Sequence, residues 1–204
     1  MRVNDLLKWK RALNEIKFKH NELDLVKEMC DSHGPQFQMF LEEYCAKNSI
    51  DLQKLNREKS IREAPKKKET IAKERRISAE KKDVDQIAII FKNLFKKLAM
   101  FLHPDLSVGL TEEEKQDRLS MFKEAKQALA DKRYFVLLEM SERFKIRMPK
   151  NYKQQTRWMK ARIIQLDQEI QSQKHTYNYV YAECETTEEK ERIVKNFLRQ
   201  IFQI

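Results

Sequence analysis

His103-Pro104-Asp105 places an imidazole, a fixed ring and a carboxylate side by side, just after a run of lysines. Over 91–105, Phe91, Leu94, Phe95, Leu98 and Leu102 recur at i, i+3, i+4, i+7 and i+11, an apolar helical stripe. Lys92, Lys96 and Lys97 fall on the opposite face, with Lys92 and Lys96 one turn apart. Pro104 disfavours helical geometry in the residue before it, so the helix must stop at His103 and expose the tripeptide at its tip. These are groups for charged, directional contact with a partner. The plainer reading of the same residues is an ordinary helix stop beside a solvated lysine face.

The elements that hold this tip follow from composition. The 204 residues include two glycines, Gly34 and Gly109, and four prolines. Average usage is roughly 7% Gly and 5% Pro, so turn formers are scarce. That excludes a glycine-rich phosphate loop, a G-x-G-x-x-G fingerprint and a nucleophile elbow. It also argues against a many-turned sandwich or barrel. Charged residues make up 36% and hydrophobic ones 41%, with a mean hydropathy of −0.79. The expectation is an all-α chain of long helices with large solvated faces.

No nucleophile–base pair is visible, so an enzyme is not expected, and no cofactor is implied. Cys30, Cys45 and Cys184 are odd in number, form no C-x-x-C and sit among apolar residues, which predicts buried free thiols. The histidines are His20, His33, His103 and His175. Cys30 and His33 form a lone C-x-x-H pair without a second ligand pair, so no metal site is expected. No apolar run approaches the ~18 residues that span a membrane, and the first residues lack a signal-peptide stretch. The expected location is cytoplasmic.

Four segments follow along the chain. In 1–63, Leu6, Trp9, Leu13, Ile16, His20, Leu23 and Cys30 form a heptad seam with Lys27 in the skipped slot, predicting an N-terminal helical arm. Asn4 or Asp5 can cap it. Gly34-Pro35 is expected to end it and open a short amphipathic helix carrying Phe37, Phe40, Leu41, Tyr44 and Cys45. On this seam His20 reads as a packing residue. Segment 64–82 holds eight basic and three acidic residues, half of the net charge of +10, and has no apolar stripe. It reads as a basic linker or a solvated helical strut; no aromatic is interleaved to stack on bases, which disfavours nucleic acid as its partner.

Segment 83–148 holds the hairpin, with a long helix expected from near Asp83 and Val84, Ile87 and Ile90 as extra apolar contacts. After a loop containing Gly109, Thr111 with Glu114 forms a capping box for a second helix. Its Leu119, Phe122, Ala125 and Leu129 face back toward the first. In 149–204, Tyr152, Thr156, Met159, Ile163, Leu166, Ile170, Gln173, Tyr177, Val180 and Cys184 keep a 4,3 alternation. Thr186 with Glu189 resembles another capping box, ahead of a broad face of Ile193, Val194, Phe197, Leu198, Ile201 and Phe202. One seam near each terminus predicts that the two pair as an antiparallel, coiled-coil-like arm; homodimerisation through them is the competing option.

The hairpin with His-Pro-Asp at its tip resembles a J domain, the module of the DnaJ co-chaperone family. Phe95-Lys96-Lys97-Leu98-Ala99 resembles the aromatic-basic-basic-Leu-Ala run of the family's helix II. Phe122-Lys123-Glu124-Ala125 through Ala128 resembles the start of its helix III. The likeness covers roughly 84–145. The chain departs from the family in having no Tyr-x-x-Leu-Gly helix, in Phe101 and Leu106 where lysines are common, and in Leu129 at a usual tyrosine. The layout, with Tyr177-Asn178-Tyr179-Val180-Tyr181-Ala182-Glu183-Cys184-Glu185, also resembles helical J-domain proteins carried by tailed phages, which would place it in a host cytoplasm.

The resemblance implies a co-chaperone that binds a DnaK-type chaperone and stimulates its ATP hydrolysis in trans, with the helical arms recruiting a client. Lys92, Lys96 and Lys97 would steer the encounter with an acidic patch. Asp105, presented by Pro104, would make a charge-assisted bond to a partner arginine, and His103 at the helix C-terminus would orient the loop. The alternatives are a structural or assembly protein that keeps the hairpin as scaffold, or nucleic-acid binding through 64–82.

Overall fold

The computed structural model describes residues 3–62, 77–103 and 109–203, and among them the chain is all-helical, with eight helices and no strand. In order these are α1 (Val3–Lys47), α2 (Leu52–Arg62), α3 (Ile77–Leu102), α4 (Glu112–Ala130), α5 (Tyr134–Arg143), α6 (Tyr152–Lys174), α7 (Tyr177–Ala182) and α8 (Thr187–Phe202). The chain divides into two compact units. One comprises Met1–His20 and Lys73–Ile164, and the other Asn21–Ala72 and Gln165–Ile204.

In the first unit α3, α4 and α5 pack on one another. The stripe read from the sequence is the buried one: Phe91, Leu94, Leu98 and Leu102 are all 2% exposed or less, and Phe95 is half-buried. Phe91 stacks on Tyr134 with ring centroids 4.2 Å apart, and Tyr134 in turn meets Trp158 at 4.8 Å. Ile87 is fully buried and Ile90 half-buried, while Val84 lies outside the described side chains. His20 is a packing histidine, buried against Phe135 at 5.5 Å.

One buried amide ties this unit's ends together. Trp9 Nε1 donates to Gln155 Oε1 at 2.8 Å, and Gln155 Nε2 donates to the Pro149 carbonyl at 3.1 Å and Asn151 Oδ1 at 2.7 Å. Gln155 is 1% exposed, and a buried amide left without such partners would be costly.

In the second unit Phe37, Leu41 and Cys45 of α1 form a core with Tyr181, Val194, Leu198 and Phe202. This core corrects the expected break at Gly34-Pro35. The chain runs on as a single helix with Pro35 inside it. Pro35 has no N–H to donate to the Asp31 carbonyl and crowds it, yet the aromatic residues just after it are held helical by their packing. Phe37 alone meets Tyr177, Tyr181 and Phe197 at 6.2, 5.5 and 5.4 Å. Gly34 is accordingly not a corner. A Cβ there would stand 3.0 Å from Asn178 Nδ2, so the residue admits a close approach by α7. Pro35→Ala is expected to raise stability by up to about 3 kcal/mol, the helix-interior cost of proline; a urea midpoint that does not rise would contradict this.

Four further expectations need correction. The heptad after α6 does not continue as one helix: the chain breaks at His175-Thr176, where Thr176 accepts from Tyr179 N and starts α7. Cap chemistry overrides the periodicity there. Secondly, α3 begins at Ile77, ahead of the expected start near Asp83 and inside the segment read as linker or helical strut. The rest of that segment through Arg76 lies outside the described residues. Thirdly, α1 begins at Val3, so Asn4 and Asp5 are in its first turn, and Asp5 pairs with Lys153 at 3.8 Å.

Lastly, the two seams do not run antiparallel. In the first unit Trp9 meets Tyr152 at 5.1 Å as well as Gln155, start beside start. In the second, Glu22 pairs with Lys174, Cys30 Sγ lies 3.5 Å from Thr176 Oγ1, and Phe40 meets Tyr181, so partner numbers rise together. Apolar periodicity carries no direction, and the helices intervening between α1 and α6 give the chain length to return.

Cys30 and Cys45 are buried free thiols, and burial pushes the Cys45 thiol up; Cys184 is only half-buried. Both capping boxes form. Thr111 Oγ1 accepts from Glu114 N at 3.3 Å while Thr111 N donates to Glu114 Oε2 at 2.9 Å, and Thr186 with Glu189 repeats the pattern. The Thr111 backbone N–H, then its hydroxyl, holds the Glu114 carboxyl below the usual range, and the Thr186 and Glu185 N–H groups do the same for Glu189. A lowered folded-state value means stability that is present above the ordinary carboxylate range and lost as pH falls through the lowered value. Urea midpoints should therefore fall on acidification, and less so in Glu114→Gln/Glu189→Gln, because Gln keeps the box but does not titrate.

Candidate docking site at the end of α3

α3 stops where proline chemistry requires. Leu102 is its last residue, and His103 N still donates to the Ala99 carbonyl at 2.8 Å. The His103 ring is half-buried and meets Phe122 of α4 edge-on at 5.6 Å. Phe122 also contacts Phe95 at 6.0 Å, so one aromatic of α4 fixes both the body of α3 and the imidazole at its end. Pro104 and Asp105 lie outside the described residues, as do Leu106, Ser107 and Val108. Gly109 returns with φ +87°, a left-handed conformation that side chains rarely adopt, two residues before the Thr111 cap.

Lys92, Lys96 and Lys97 are all exposed on α3, with Lys97 bordering the buried Leu94. Ile89 and Met100, 58% and 73% exposed, flank them, so the outer face of α3 is cationic with apolar ends. Among the described residues no group of three or more His, Cys, Asp or Glu side chains is placed to hold a metal ion. None of the described helices is long and apolar enough to cross a membrane.

A clamp that sequence reasoning missed holds the last turn of α3. Arg118 of α4 lies 4.9 Å over the Phe101 ring and donates from Nη1 to the Phe101 carbonyl at 3.3 Å. Phe144, just beyond α5, meets Phe101 from the same unit at 4.9 Å. The carbonyls of a helix's last turn lack intrahelical partners, and Arg118 supplies one. Phe101 therefore has a structural task where the resemblance suggested a lysine. The only sequence signal for it was an exposed-face aromatic on an otherwise cationic side.

Comparison of the chain with protein-family models, with curated proteins and with solved structures finds no match in any of the three.

Proposed function

We propose that this chain is a J-domain-type co-chaperone that docks on a DnaK-type chaperone and stimulates its ATP hydrolysis. The observation that carries the reading is the end of α3. A helix with three exposed lysines terminates at His103, whose ring is held by Phe122, immediately before Pro104 and Asp105. Cationic faces of this kind accelerate encounter with acidic partners. The His103 imidazole, already packed on Phe122, can make a directional contact at little ordering cost. On this reading the chain carries out no chemistry itself, and the residues that act are His103, Pro104, Asp105, Lys92, Lys96 and Lys97. The client and the helical surface that recruits it belong to the same proposal.

The test is single-turnover ATP hydrolysis by a DnaK-type chaperone with and without the full chain. Stimulation that depends on His103 and Asp105 supports the proposal. Its absence leaves the hairpin as scaffold for an assembly protein, and stimulation unaltered by His103→Gln takes the His-Pro-Asp tip out of the mechanism.

A further inference from the structure

A second cationic feature lies on the first unit, formed by residues far apart in sequence. Between α3 and the segment that precedes α6 is a cleft of about 350 Å3. Lys97, Arg147 and Lys150 line it together with Leu94, Met148 and Pro149, and no carboxylate is among its lining residues. Lys97, Arg147 and Lys150 are all exposed, whereas Leu94 is buried and Met148 and Pro149 are half-buried. Three cations therefore rim an apolar floor.

The wall bearing Arg147 and Lys150 is anchored, although it has no helical structure of its own. The carbonyl of Pro149 accepts from the buried Gln155, which Trp9 holds from its other side. A cleft with a fixed wall loses little freedom on binding. Its volume sits at the lower end of the ~300–1,000 Å3 usual for binding pockets, enough for a side chain or two of an extended segment. Its floor calls for an apolar side chain, and its rim calls for carboxylates on either side. No aromatic lines it to stack on a base, which argues against single-stranded nucleic acid as the occupant.

We infer that this cleft docks an extended acidic segment of a partner protein, seating one apolar side chain over Leu94, Met148 and Pro149 between carboxylates held by Lys97, Arg147 and Lys150. Lys97 would serve both this cleft and the α3 docking face, but the inference stands on the cleft alone and needs no ATPase stimulation.

Fluorescence anisotropy with the full chain tests it. The probe is a labelled peptide of alternating Glu and Leu; the comparison probes have Ser for Leu, Lys for Glu, or are labelled oligothymidylate. The Glu-Leu peptide should bind and weaken with added salt. Arg147→Ala/Lys150→Ala should weaken it by roughly tenfold or more, and the Ser peptide should bind the unaltered chain roughly tenfold less tightly. Both substituted side chains are exposed, and circular dichroism checks that the variant folds. Arg147→Glu/Lys150→Glu provides a second variant, which should gain affinity for the Lys-Leu peptide. Asp105→Asn should leave peptide binding unchanged, which separates this site from the chaperone-stimulating tip. Equal binding by the double alanine variant, equal binding of the Ser peptide, or tighter oligothymidylate binding lost in the same variants would each overturn the inference.

Discussion

Asp105→Asn is expected to reduce the stimulation of a DnaK-type chaperone's ATP hydrolysis to the unstimulated rate, while leaving the far-UV circular dichroism spectrum unchanged. The substitution keeps the size of the side chain and removes its charge. A carboxylate docked on a partner's guanidinium makes the short, strong bonds typical of ionised pairs. Breaking one such desolvated pair costs about 2–5 kcal/mol, largely because the other charge is left buried alone. At about 1.4 kcal/mol per tenfold, that is a loss of roughly 30-fold to 4,000-fold in affinity, enough to abolish stimulation at concentrations that just saturate the unaltered pair. Lys92→Ala or Lys96→Ala should act differently, slowing association and flattening the salt dependence while preserving the stimulated rate at saturation. An Asp105→Asn protein that stimulates normally would remove the Asp105 carboxylate from the docking contact and, with it, the mechanism assigned to the tip.

Phe91→Ala should be the most destabilising single substitution in the first unit, by about 3–5 kcal/mol. Phe91 is 2% exposed, at the centre of the α3 stripe, and its ring lies nearly parallel to Tyr134 at 12°. Truncation removes both the apolar burial and the stacking partner of Tyr134, whose hydroxyl burial already pushes above its usual range. Typical domains have about 5–15 kcal/mol of net stability, so the loss is a large fraction of what holds α3 against α5. Phe101→Ala, at a 40% exposed ring, should cost much less in stability. A urea titration comparing the two variants decides the point, and a similar midpoint for both would contradict it.

Apolar spacing carried most of the fold in this sequence because long helices with one buried face leave little else to decide. Trp9, Ile16, Leu23 and Cys30 on one seam, and Met159, Ile163, Leu166 and Ile170 on the other, are all buried where the spacing placed them. Both capping boxes were equally plain, since four adjacent residues determine them. What periodicity could not convey was anything set at a distance. Gly34-Pro35 has every local mark of a helix end, and only the ring cluster around Phe37 keeps α1 running through it. Gln155, one position away from the seam residue Thr156, reads as solvated until Trp9 and Pro149 are seen to claim its amide. At the site, the lysines of α3 were legible from the helix face, and the stop at His103 from the proline. The Arg118 clamp on Phe101 and the pairing of Lys97 with Arg147 and Lys150 were not, because their members come from different elements.

The bond from Trp9 to Gln155 spans 146 positions of the chain. At ~5–20 residues added per second, Trp9 is made roughly 7 to 30 seconds before the residue that will accept its indole N–H. Neither compact unit can close on a half-made chain, since each requires residues from both the early and the late stretches. During that interval the apolar seam of α1 is open to water and to other nascent chains, so this protein is itself exposed to aggregation while it is being synthesised.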